Sequence, residues 1–424
     1  MSSVSCRWCR RTVAGGSAVT RSDTVPRGPV RPDLIREHRG VEPTTSTELF
    51  FDLVYIFTVT QLAQFLILHP DPLGALRTVI LLGLIWLIWI YTAWTTNSLR
   101  PDRSPVRAML LAVMLGSLLL SAAIPAAFAG SGLLFAAAYA AVQVGRTGFA
   151  LWAAHGHPGL EPGLRRSLPW RTGTSLLVVA GGLVGSPNRE IIWTAVIVID
   201  VLVLATGFPL PRRSRTRPEQ WDVEGGHLAE RCQAFILIAL GESILVTGGI
   251  LAGNTGRAAI GAFLLAFAGS VALWWVYFDR TAQAVTAVLT HAGERAGRLS
   301  RVAFNYLHPV MVAGIIVSAV GDERLLRDPG GLLDAGTALV VFGGPALFLA
   351  GHAAYQLVLL RRGWAGRLGA VLVLLAAAPV TVALRLPVAV GEVVALLSTV
   401  AVIIADRGAD RRAGQGRGPR SPLR

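Results

Sequence analysis

Ser46–Leu68 reads STELFFDLVYIFTVTQLAQFLIL. The run is apolar and of the length that crosses a hydrocarbon layer about 30 Å thick as a helix. It nevertheless holds two acids, Glu48 and Asp52. Four residues apart, they share one helix face about 6 Å apart along the axis. Similar runs recur almost to the C-terminus. Of the 424 residues, 53% are hydrophobic and 15% charged, against about 25% charged in soluble proteins. The segments are too long and too evenly apolar for barrel strands, so each must satisfy its own backbone as a helix. The fold class expected is all-α, a polytopic membrane bundle of about twelve helices.

The expected spans are Ser46–Leu68, Ala75–Thr96, Val106–Ala127, Leu133–Ala153, Thr172–Gly185 and Glu190–Phe208 in a first half. A second half holds Leu228–Ile250, Ala258–Phe278, Val302–Val320, Ala335–Leu360, Leu368–Leu384 and Val388–Ala405. Residues 1–45 and 406–424 read as flexible basic tails, and 209–227 as a linker between halves 46–208 and 228–405. No apolar signal segment opens the chain.

All 39 basic residues are arginine, which with the abundant Ala and Gly points to a bacterial source. The net charge of +14 does not imply nucleic acid, because the arginines sit in short connections. With the N-terminus inside, the inner loops hold 17 of them: Arg100, Arg103, Arg107, Arg165, Arg166, Arg171, Arg212, Arg213, Arg215, Arg217, Arg280, Arg295, Arg298, Arg301, Arg361, Arg362 and Arg367. The outer loops hold 6: Arg77, Arg189, Arg257, Arg324, Arg327 and Arg385. That alternation is the positive-inside pattern, with both termini cytoplasmic in a bacterial inner membrane. The stretches WIYTAWTTN and WVYFDRTAQ fall at similar depths of the second helix in each half, which fits two parallel six-helix repeats.

Charge inside a span costs about 2.5–3.5 kcal/mol and points inward to partners. Glu48 fits a helix start, since TTSTE reads as a capping sequence. Asp52 lies past the first turn and reads as an interior polar site. In ERCQAFILIALGES, Arg231 and Glu242 share a face about 16 Å apart in depth, and Gly241 and Ser243 flank Glu242. Glu242 is too deep to cap or snorkel, so it is the leading functional candidate. Asp200 and Arg146, beside Gln143, read as a mutual ion pair or a transport site. Asn305 and His308 share a face next to Pro309; His308 reads as a proton relay or as a hydrogen-bonded packing residue. Asp279 reads as an interface anchor, His352 with Gln356 as a polar stripe, and Glu392 as a weaker candidate. Cys6 and Cys9 form a lone CxxC, a weak metal signal. Neither a metal nor a cofactor is expected.

ELFFDLVYIFTVTQLAQFL, ERCQAFILIALGESIL and LWWVYFDR together resemble the bacterial low temperature requirement A family over roughly residues 41–405. The matching positions are Glu48 to Asp52; Glu230, Arg231, Gly241, Glu242 and Ser243; Trp274, Trp275, Tyr277, Phe278 and Asp279; and His308. Tyr55 and Ile56 depart from more uniformly aliphatic residues, and the leader lies outside the resemblance. The resemblance implies a multi-spanning inner-membrane protein linked to growth in the cold, with no assigned molecular activity. A fainter likeness, through Phe50-Phe51-Asp52, is to channels with a Phe-Ser-Asp motif in their first helix.

No GxxxxGK[ST] occurs, which excludes a P-loop NTPase, and the loops are too short for a separate catalytic domain. Three readings remain. One is a secondary transporter of a small solute coupled to protons or a cation, using Glu48, Asp52, Glu230, Arg231, Glu242, Ser243, His308 and Asn305. The others are an ion channel, and a non-transporting scaffold or intramembrane enzyme. The lipid bilayer is the implied partner, and the oligomeric state is left open.

Overall fold

A computed structural model of the chain describes residues 32–36, 44–209, 224–253 and 255–415. The leader with Cys6 and Cys9, most of the linker and the end of the C-terminal tail lie outside the described residues. The described chain is helical, in the order α1 (Ser46–Leu68), α2 (Pro72–Ser98), α3 (Ser104–Ala123), α4 (Gly132–Ala153), α5 (Glu161–Leu183) and α6 (Asn188–Ala205). It continues with α7 (Gly225–Gly253), α8 (Arg257–Phe278), α9 (Thr281–Thr290), the short α10 (Ala296–Ser300), a π-helical turn at Arg301–Leu307, α11 (His308–Arg327), α12 (Ala335–Leu359), α13 (Trp364–Ala383) and α14 (Val388–Gln415).

Ten of the helical segments are long and apolar enough to cross a membrane. The expected spans five and six, α5 and α6, are not among them. The reason is charge: α5 carries Glu161, Arg165, Arg166 and Arg171, and α6 carries Arg189, Glu190 and Asp200. Helix α5 also begins at Glu161, well before the expected Thr172, and α14 runs on past Ala405.

Several arginines assigned to loops are buried at helix ends instead. Arg171 lies inside α5, and Arg367 in the first turn of α13 is 1% exposed. Arg301 donates to the Leu204 carbonyl oxygen at 3.0 Å. Arg189 spreads its donors over the carbonyl oxygens of Ala127, Gly181 and Val184. A long apolar stem lets a guanidinium fold back from the helix end onto free carbonyls.

Helix α1 shows how the bundle sorts its faces. Phe51, Asp52, Tyr55, Val59 and Leu62 are buried, while Leu49, Phe50 and Leu53 are each at least half exposed. Its start is capped as the sequence predicts: Thr45 Oγ1 accepts from the Glu48 amide, and the Glu48 carboxylate accepts from the Thr45 amide at 3.0 Å. Within the first six helices the contacts are α1–α2, α1–α3, α2–α4, α2–α6, α3–α4, α4–α5 and α5–α6. Among the later helices the contacts are α7–α8, α7–α11, α8–α11, α8–α12, α8–α14, α11–α12, α11–α14, α12–α13, α12–α14 and α13–α14, which include a counterpart of each pair in the first six. Helices α11 and α12 pack closest through small residues. A Cβ on Gly314 would lie 2.5 Å from the Phe348 amide nitrogen, so only glycine permits that approach.

Candidate functional site

Three polar centres occupy the bundle interior. The first joins α1 to α7. Arg231 donates from Nε to Asp52 Oδ2 at 2.8 Å and from Nη2 to Asp52 Oδ1 at 2.6 Å, a two-pronged pair. Its Nη1 reaches Glu48 Oε1 and Thr96 Oγ1, both at 3.1 Å. Trp89 Nε1 donates to Asp52 Oδ1 at 2.8 Å. His227 presents Nε2 to Glu48 at 3.2 Å and Nδ1 to the Asn97 amide at 3.3 Å. Since the carboxylate can only accept and the amide NH2 donates, Nε2 is the donor to Glu48 and Nδ1 the acceptor from Asn97. Glu48, Asp52, His227 and Arg231 are all fully buried. The two carboxylates share the Arg231 guanidinium, and Arg36 Nη2 lies 3.9 Å from Glu48 Oε2, so the group forms a buried clasp between α1 and α7.

Sequence reasoning placed Glu48, Asp52 and Arg231 correctly as inward-facing but did not pair them. His227, four residues before Arg231, also escaped notice, although that spacing mirrors the one between Glu48 and Asp52. Glu230 stays outside the clasp, half-buried, with Thr44 Oγ1 at 3.5 Å.

The second centre is Glu242, 1% exposed and about 16 Å along α7 from Arg231. Thr60 Oγ1 donates to its Oε2 at 2.6 Å, and its Oε1 has no hydrogen-bond partner among the described residues. Among the described residues no cation reaches it. The adjacent Ser243 faces a different neighbourhood. It lines a cavity of about 30 Å³ with Ser270, Ser318, Asp322, Glu392 and Thr399. Asp322 is 6% exposed. A Cβ on the neighbouring Gly321 would lie 3.1 Å from Glu392 Oε1, which places the Glu392 carboxylate against the α11 backbone beside Asp322. Asp322 was overlooked because it sits in the charged run DER, which reads as a loop. Among the described residues, no arginine pairs with Asp322 or Glu392.

The third centre surrounds His308. The π-helical turn ends there, and His308 Nδ1 donates to the Ala303 carbonyl oxygen at 2.9 Å. Nε2 is thereby left to accept from Tyr277 Oη at 2.9 Å. A nearby chain runs from Asp406 to Arg367, with Nη2 to Oδ2 at 2.7 Å, and from Arg367 Nε to His352 Nδ1 at 2.7 Å. Rings of Tyr277 and Tyr355 separate the two histidines. Asn305 accepts from Trp94 Nε1 of α2 at 3.0 Å. Asp279 is at the surface beside Arg280.

The expected pairing of Asp200 with Arg146 is overturned. Asp200 pairs with Arg171 of α5, and Arg146 instead holds Gln143, Thr92 and the Ile88 carbonyl oxygen. Arg171 was counted as a loop residue and therefore not considered as a partner. Glu242 and Asp52 do not meet, and neither lines the cavity around Asp322 or the one between α2, α4, α5 and α6. Among the described residues no cluster of three or more His, Cys, Asp or Glu is arranged to hold a metal ion.

Residues 44–402 match the family described as the bacterial low temperature requirement A protein (LtrA). An uncharacterized protein of Rhizobium meliloti (strain 1021) is 35% identical over 321 residues, covering 75% of this chain and 78% of the relative. No solved structure matches. With Glu48, Asp52, Glu242, Arg231 and His308 inside a helical bundle and the match spanning most of its length, the chain belongs to the bacterial low temperature requirement A family.

Proposed function

We propose that the chain is a proton-coupled secondary transporter of a small solute, and that Glu242 is the side chain that takes up and releases the coupling proton. One observation carries this reading: Glu242 is buried in a span-length helix with one threonine for company and no cation. A carboxyl group in that setting is costly unless it exchanges its proton with a wet path. On another face of α7, Ser243 lines a hydroxyl-rich cavity with Asp322 and Glu392, a second polar region beside the helix that carries Glu242. The clasp of Glu48, Asp52 and Arg231 plays a different part, fixing α1 to α7 as a frame. The recurring helix pairings support two six-helix repeats whose termini lie on the cytoplasmic side, an arrangement used by many transporters.

The test uses the full chain in proteoliposomes with a pH-sensitive dye inside. Imposed gradients of small organic acids, amino acids and sugars should move protons with at least one solute class, and Glu242→Gln should abolish that movement while remaining monodisperse. Movement that survives Glu242→Gln unchanged removes Glu242 from the mechanism. The complete pairing within the clasp favours a second reading, a membrane scaffold, under which no solute moves protons in either protein.

A further inference from the structure

The cavity enclosed by the ends of α2, α4 and α6 and the start of α5 has no part in the carboxyl path. Its volume is about 160 Å³, and a cavity of about 150 Å³ accepts a benzene-sized molecule. Arg146 and Arg171 both line it, each 3% exposed. Arg171 is neutralised by Asp200 and leaves Nη2 without a hydrogen-bond partner among the described residues. Among the described residues, Arg146 is hydrogen-bonded to no carboxylate. Its Nη1 donates to the Ile88 carbonyl oxygen at 3.1 Å and Thr92 Oγ1 at 3.2 Å, and its Nη2 to the Gln143 amide oxygen.

Among the described residues the centre therefore holds two guanidinium groups and one carboxylate, leaving one positive charge buried at a cost that neutral dipoles only partly offset. The Tyr91 ring lies under both guanidinium groups, 3.6 Å from Arg171 and 5.7 Å from Arg146, and holds them on one side. Thr147 and Ser167 add hydroxyls, while Leu160, Leu164 and Leu204 supply an apolar wall. The free Arg171 Nη2 and the Arg146 charge beside it, opposite a hydrophobic wall, suit a carboxylate on an organic body better than a fully hydrated inorganic anion.

We propose that this cavity binds a small organic carboxylate of about benzoate size, with its carboxylate on Arg146 and Arg171. As the substrate class of a transporter, this rests on the function proposed above; as a binding site, it is measured apart from transport. The experiment titrates the purified full chain in detergent with benzoate, its neutral analogue benzamide, and sulfate, by calorimetry and thermal unfolding.

Benzoate is expected to bind saturably and raise Tm, with benzamide and sulfate far weaker. Arg146→Gln should weaken benzoate roughly tenfold or more, the scale of one charged hydrogen-bonded contact. Gly163→Leu keeps both arginines but grows into open space at the cavity lining, and should abolish binding with little change in the unliganded Tm. That second variant decides the matter if Arg146→Gln does not fold. The proposal is overturned if the wild-type chain does not bind benzoate, if benzamide or sulfate binds as well, or if Gly163→Leu binds undiminished. Benzoate binding without proton movement in liposomes would retain the site and sink the transporter reading. Proton movement with other solutes but no benzoate binding would do the reverse.

Discussion

At Arg231 a single guanidinium divides its donors between Asp52 and Glu48, with no exposed atom in the group. Arg231→Gln would leave two buried carboxylates facing each other. It should cost about 3–5 kcal/mol of stability, read from denaturant unfolding in lipid-matched micelles. The paired change Asp52→Leu with Arg231→Met should cost much less, because it removes charge from both sides. Equal losses for the single and the paired changes would show that charge balance is not what the clasp supplies. Glu242→Gln is the opposite case. Replacing an acid that has no cation with a neutral amide should leave stability unchanged or improved, within about 0.5 kcal/mol of the scale of benign substitutions. The inward direction of these acids was legible in the sequence, because lipid forbids the alternative. Their partners were not, since Arg231 lies 179 residues from Asp52 and no local spacing encodes such a contact. The pairing of Asp200 was misread for a related reason, as Arg171 was counted with the loop arginines beside it.

Helices were more legible than their exceptions. The limits of α1 and the start of α12 follow from capping residues and apolar runs, whereas the π-helical turn before His308 has no signature beyond Pro309. Asp334 caps α12, accepting from the Thr337 amide at 2.6 Å. That bond holds its carboxyl below the usual aspartate range. A lowered value in the folded state means that the stabilisation is fully present above the ordinary aspartate range and is lost as pH falls through the folded value. Asp334→Ala should therefore cost about 0.5–1 kcal/mol at neutral pH, and the difference from wild type should close on acidification. A gap that stays constant across the titration would contradict the cap. Between α11 and α12 the limit is steric. Gly314→Val would drive carbon into the Phe348 backbone, which cannot swing aside as a side chain can, and should cost about 1–3 kcal/mol.

For the whole molecule, hydropathy identified a helical bundle but not how each helix meets the membrane. Helices α5 and α6 carry charge that pairs internally, and a hydropathy reading sees only the charge. The proposed orientation puts the α2–α3 connection and both termini inside. In a chain with Cys6, Cys9 and Cys232 replaced by serine, Asp102→Cys should resist an impermeant maleimide in intact cells, and Gly330→Cys between α11 and α12 should react. The reverse labelling would invert the topology and with it the side on which the arginine-lined cavity lies. The central claim, that Glu242 exchanges a proton with water from within the bundle, is tested most directly by infrared difference spectroscopy of the chain in lipid as the buffer pH is stepped. The account predicts a reversible carboxyl C=O band in the wild-type chain that is missing from Glu242→Gln. Identical pH-difference spectra from the two proteins would contradict it.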